Sequence, residues 1–115
     1  MKDRRIDSLE RLKHIRSAIG DIERFVSGKT ENDFLEDDLL QSALLYQFSV
    51  IGEAVVHIDD GILDKYSYPW YKVRAFRNLI SHEYFNIRLE AVWEIIDKDL
   101  PGLKSMIDTI LKEEF

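Results

Sequence analysis

Eight consecutive residues, Arg77-Asn78-Leu79-Ile80-Ser81-His82-Glu83-Tyr84, bring a guanidinium, an amide, an imidazole and a phenol close together. A guanidinium presents a planar fork of donors that matches the oxygens of a phosphate. An imidazole changes protonation near neutral pH and can therefore give or take a proton during a reaction. The residue types point to phosphoryl chemistry. At about 100° per residue, a helix through this stretch puts Arg77, Asn78, Ser81, His82 and Tyr84 on one broad arc, with Val73, Phe76, Leu79 and Ile80 opposite. The spacing alone is equally compatible with an ordinary solvated helix face.

The elements that must carry this stretch are legible as apolar periodicities. Ile6, Leu9, Leu12, Ile15, Ile19, Ile22 and Phe25/Val26 recur in steps of three and four, predicting a first helix over about residues 4 to 27 that stops near Gly28. Asp33, with Glu36 three positions on, resembles a capping box for a second helix through Leu39, Leu40, Leu44, Phe48, Ile51, Val55 and Ile58, ended by Asp59-Asp60-Gly61. This second helix is apolar around most of its circumference, as in the centre of a bundle or against a second subunit. A short link from Gly61 to Ser67 leads to Pro69, a residue tolerated in a first helical turn, which opens the helix bearing the motif. Leu89, Val92, Trp93 and Ile96 mark a fourth helix, and Pro101 opens a fifth with Leu103, Met106, Ile107, Ile110 and Leu111 inward. The expected fold is all-α, a bundle of about five helices around two long antiparallel ones, in a single domain over 1-115.

Composition narrows the functional classes. The chain has no cysteine, which excludes disulfides and thiolate metal sites and suits a reducing compartment. No apolar run approaches the roughly 20 residues of a membrane span, and Met1-Lys2-Asp3-Arg4-Arg5 lacks the apolar core of a signal peptide; a cytoplasmic location without membrane attachment is expected. The net charge of -6 opposes a long nonspecific nucleic-acid track. Its distribution is uneven, however: residues 65 to 88 hold five basic and one acidic side chain, residues 1 to 16 hold six and three, and the other blocks are acidic. The motif therefore sits in the most basic block, near Lys72, Arg74 and Arg88, while the acidic blocks would suit a basic partner protein.

The segment resembles the Arg-x4-His signature of the HEPN superfamily, in the Arg-x4-His-x-Tyr form of its HepT-like branch. Matches flanking the signature occur in order: Ile51-Gly52-Glu53-Ala54, Pro69-Trp70, Tyr84-Phe85, Val92-Trp93 and Asp99-Leu100-Pro101. They span nearly the whole chain. Glu83 departs from the pattern, standing where a small residue is usual and adding negative charge beside His82.

The resemblance implies a HEPN-like bundle acting as the toxin of a type VII toxin and antitoxin pair, a homodimeric endoribonuclease that needs no metal or other cofactor. His82 would act as general acid or base on the ribose 2′-hydroxyl or the leaving 5′-oxygen, and Arg77 would stabilise the phosphorane. Asn78, one turn before His82, would hold the imidazole or a phosphate oxygen, and Ser81 would support the same arc. For Tyr84 two roles stand: orienting the RNA substrate, or accepting AMP from a cognate minimal nucleotidyltransferase antitoxin. A different class of function also fits, a binding subunit that holds a nucleotide or presents Tyr84 to the nucleotidyltransferase without cutting RNA.

Other residues have plainer readings. Glu53, an acid in an apolar helix, either pairs with Arg77 or faces solvent. Trp70 and Trp93 read as core or interface aromatics rather than base-stacking platforms. His14 and His57 read as surface histidines without metal-ligand spacing, and Asp37-Asp38 and Asp59-Asp60 as solvated helix ends.

Overall fold

A computed structural model describes residues 4–81 and 88–115. Helices make up the ordered elements among these residues: α1 (Arg4–Val26), α2 (Glu31–Leu35), α3 (Asp38–Val56), α4 (Asp60–Leu63), α5 (Trp70–Ala75), α6 (Asn78–Ser81), α7 (Leu89–Glu94) and α8 (Leu100–Glu114). α1 and α3 are the two long helices and pack on each other. The all-α bundle expected from the periodicities is the observed fold.

α1 ends as expected, with Gly28 at φ 76°, a left-handed conformation that costs glycine nothing and lets the chain reverse. The next boundary differs from the sequence expectation. Thr30, rather than Asp33, is the N-cap: the Thr30 hydroxyl accepts from the Asp33 backbone N–H and the Asp33 carboxylate accepts from the Thr30 N–H, at 3.1 and 2.9 Å. This reciprocal box starts the short α2, and Asp37 then caps a separate helix, α3, by accepting from Leu40 N–H at 3.0 Å. Two caps seven residues apart split what periodicity alone reads as one helix. Asp37 and Asp59 are thus caps, the latter accepting from Gly61 N–H at 2.8 Å to begin α4 inside the expected link. Ser8, buried in α1, accepts from the Asp59 N–H at 3.0 Å and ties that corner to the bundle.

The last two expected helices form one continuous helical run. Ile95–Asp99 adopts a π-helical turn between α7 and α8. Proline cannot donate to the carbonyl four residues back and clashes with it, so a helix entering Pro101 must open locally; the wider turn does this without breaking the rod.

Phe34, Phe48, Leu12, Ile15, Leu44, Ile51 and Ile107 are fully buried and form the centre of the core, each such side chain contributing about 1.5–3 kcal/mol of apolar burial. Trp70 is a core residue, its indole N–H donating to the carbonyls of Leu63 and Tyr66 at 3.2 and 3.3 Å. Trp93 packs on Phe34 with ring centroids 5.4 Å apart. α3 is long and apolar enough to cross a membrane by length and hydropathy, although polar residues interrupt its apolar positions. Here it is the central helix of a bundle, burying Leu40, Leu44, Phe48, Ile51 and Val55 while leaving Leu39, Tyr46 and Val56 exposed.

Candidate functional site

The helix leading to the motif is built to hold one residue in place. Val73 on α5 is buried, and Phe76 in the following turn meets Phe48 of α3 edge to face, with ring centroids 5.1 Å apart and planes at 73°. Leu79 packs partly into the same core. The side chain of Ile80, the fourth apolar residue expected to face inward, lies outside the described residues; these are the other three. Between them the backbone tightens: Phe76 N–H donates to Val73 and Arg77 N–H to Arg74, bonds of the i to i−3 type at 3.1 and 3.3 Å. Arg77 thus lies in a turn joining α5 to α6 rather than in the regular helix that the arc assumed. Asn78 opens α6, and both it and Arg77 are exposed.

Gly52 of α3 is the contact that sets this turn against the bundle. A Cβ at position 52 would lie 2.2 Å from the Arg77 backbone nitrogen, 2.9 Å from its Cα and 3.0 Å from its Cβ. Real Cβ atoms do not approach so closely; only glycine lets the α3 backbone run directly against the Arg77 backbone. Sequence reasoning registered Gly52 only as part of a matched segment. A glycine inside an apolar helical pattern was the available sign of a close backbone approach.

Glu53 does not pair with Arg77. Its carboxylate meets His57 Nε2 one turn along α3 at 3.0 Å, and both side chains are about half exposed. Among the described residues no carboxylate lies within ion-pair distance of Arg77, whereas Arg74 is engaged by Asp60 at 3.7 Å. Toward the described residues, the exposed guanidinium of Arg77 is therefore left unpaired. Lys72 adds an exposed positive charge on α5. His82 and Tyr84, with Glu83 between them, lie outside the described residues, as does the side chain of Ser81. Among the described residues no group of three histidine or carboxylate side chains converges as metal ligands would.

The α3 ridge that carries Tyr46, Ser49 and Glu53 runs between two neighbours. On one flank α1 brings Arg11 and His14 to a groove shared with Ser49, Val50, Glu53 and Ala54; on the other, α5 and α6 bring Arg77. His14 and His57 are both exposed.

Residues 15–110 match the model of the HepT-like family, described as ribonuclease HepT-like. A Methanocaldococcus jannaschii protein named as a γ-glutamylcyclotransferase and candidate RNase is 35% identical over 89% of this chain, which spans 46% of that protein's length. A candidate RNase of Caldanaerobacter subterraneus subsp. tengcongensis is 35% identical over 81% of this chain and 83% of its own. Another candidate RNase of Methanocaldococcus jannaschii is 32% identical over 93% of this chain and 84% of its own. No solved structure gives a significant match. With a family model covering most of its residues and full-length relatives of this similarity, the chain belongs to the HepT-like ribonuclease family.

Proposed function

We propose that this protein is the toxin of a type VII toxin and antitoxin pair, a cytoplasmic, metal-independent endoribonuclease that works as a homodimer and is silenced by AMP on Tyr84. Ribonuclease activity is the character of its family. The observation that carries the finer reading is Arg77: exposed, without a carboxylate partner among the described residues, and set by the Gly52 contact at the head of the motif.

In this mechanism the ribose 2′-hydroxyl attacks the adjacent phosphorus while a base takes its proton. The bond to the 5′-oxygen breaks as an acid protonates it, leaving a 2′,3′-cyclic phosphate and a free 5′-hydroxyl. Arg77 balances charge that builds on the phosphorane oxygens, and Asn78 orients either the imidazole of His82 or a phosphate oxygen. One motif supplies one histidine, whereas the reaction uses both a base and an acid, so the proposal pairs His82 with His82 of the partner subunit. The exposed apolar side chains of Leu39, Tyr46 and Val56 on α3 support such pairing, since a ridge of this kind costs free energy when left in water.

Regulation follows from the position of Tyr84, two residues after His82. Its phenolic oxygen would attack the α-phosphorus of ATP held by the antitoxin, releasing pyrophosphate and a proton. The attached AMP then brings negative charge and bulk to the place where RNA phosphate must sit.

The test is cleavage of single-stranded RNA by the purified protein in excess chelator. The expected products carry cyclic or 3′-phosphate ends, and Arg77→Ala and His82→Ala each lower the rate, the latter by about 10²- to 10⁴-fold. Cutting at the wild-type rate by His82→Ala, or cutting abolished by chelator, overturns the mechanism.

A further inference from the structure

Tyr71 is 69% exposed, on the helix whose next turn presents Arg77. Its ring makes no aromatic contact and its hydroxyl no hydrogen bond with any described residue, while the adjacent Trp70 is buried in the core and packs at a tilt against Tyr68, ring centroids 4.9 Å apart. The fold therefore accounts for Trp70 and leaves Tyr71 in water. Basic side chains run on from it: Lys72 follows it, Arg74, which Asp60 meets at 3.7 Å, lies one turn on, and Arg77 and Asn78 lie a turn beyond that. Between Tyr71 and Arg77 the chain runs first as α-helix, at about 1.5 Å per residue, and then as a tighter turn, at about 2 Å per residue, so the two lie on the order of 10 Å apart along it, within the reach of a nucleotide or two. The i to i−3 bond from Arg77 N–H to Arg74 brings those two residues toward one edge of the junction, and Tyr71 precedes Arg74 by about one turn of α5.

We propose that Tyr71 is a base-stacking platform for the RNA substrate, taking a nucleobase that flanks the phosphate held at Arg77. An aromatic face beside a row of cations is the arrangement by which proteins hold single-stranded nucleic acid: the cations bind the backbone, and the ring binds any base, since every base has a π-face. Tyr46, the other strongly exposed tyrosine among the described residues, has different company. It shares α3 with Leu39 and Val56 and has no cation beside it on that helix, which suits a protein contact. Tyr71 thus sets affinity for the strand rather than the rate of the chemical step.

This inference rests on the RNA-cleaving reading above, and one set of assays separates the two. Cleavage of a single-stranded heteropolymeric RNA is measured for the wild type, Tyr71→Leu and Tyr71→Phe, and binding of the same fluorescently labelled RNA is measured in a His82→Ala background. Tyr71→Leu is expected to raise KM and Kd about five- to 150-fold with kcat little changed, while Tyr71→Phe stays within about threefold, with both melting temperatures unchanged. Tyr71→Trp should lose tryptophan fluorescence on adding RNA and keep it on adding an abasic strand of the same charge. If the wild type cleaves and Tyr71→Leu matches it in KM, the platform is wrong and the nuclease reading survives. If Tyr71→Leu instead changes the dimer or the antitoxin complex with KM unmoved, Tyr71 is a protein contact. A wild type that neither binds nor cuts RNA overturns both.

Discussion

Gly52 and Arg77 touch backbone to backbone: a methyl group on Gly52 would fall 2.2 Å from the Arg77 nitrogen. The glycine on the central helix therefore sets where the motif begins, although it carries no chemistry itself.

Gly52→Ala must push the α5–α6 turn away from α3. Overpacking of this kind costs about 1–3 kcal/mol, a drop of several degrees in Tm, and cleavage should fall further than stability because Arg77 moves with the turn. Gly20→Ala is the control. Its added methyl would meet nothing closer than Arg16 at 3.9 Å, and alanine is favoured over glycine in a helix by about 1 kcal/mol, so this variant should melt at or above the wild type. Thermal melts and initial cleavage rates on the two proteins decide the matter; equal behaviour would remove the assigned role of Gly52.

The proposed dimer predicts that charges on the α3 ridge produce monomers. Leu39 is 80% exposed and Tyr46 59%, so Leu39→Glu combined with Tyr46→Glu should leave the monomer fold intact while lowering the light-scattering mass and the cleavage rate together. A wild type that stays monomeric at micromolar concentration with full activity would rule out a site shared between two copies.

Control through Tyr84 predicts a gain of one or more AMP units when the protein is incubated with a neighbouring nucleotidyltransferase, ATP and magnesium. Mass spectrometry should locate the adduct on Tyr84, Tyr84→Phe should not gain it, and the modified protein should no longer cut RNA. An adduct that leaves cleavage unchanged would leave inhibition to complex formation alone.

The end of α8 is held by a titratable clasp. Glu114 accepts from Lys65 and from the Tyr66 hydroxyl, both at 2.9 Å. The Lys65 hydrogen bond, followed by that of Tyr66, lowers the Glu114 pKa, so its contribution is present above the ordinary carboxylate range and is lost as pH falls through the lowered value. Partial burial, with the hydrogen bond to Glu114, pushes Tyr66 up to about 12; its contribution is complete below pH about 10 and fades as pH rises through about 12. Urea midpoints measured across pH should show both limbs in the wild type. Glu114→Gln should flatten the acid limb, and Tyr66→Phe the alkaline one; unchanged profiles would show that the clasp does not contribute.

Much of this protein is written locally. The steps of three and four that make α1, α3, α5 and α8 amphipathic depend only on residues within a turn or two of each other, so the all-α bundle and the inward set of Val73, Phe76 and Leu79 could be read directly from the chain. The same holds for the chemical character of Arg77 and Asn78, which needs only their side chains. Local competition already strained that reading at Thr30 and Asp37, where two caps divide one apolar periodicity, and at Pro101, where a π turn keeps two expected helices joined. What tertiary structure alone decided are the contacts between residues distant in sequence. Whether Glu53 would reach Arg77, 24 positions on, or face solvent was one such question, and the fold leaves it about half exposed against His57 of its own helix rather than paired with Arg77. Gly52 and Arg77, 25 positions apart, were brought into backbone contact, and Tyr71 was left in water beside a buried Trp70. Periodicity says which face of a helix is apolar; only packing says which backbone that face meets and how closely.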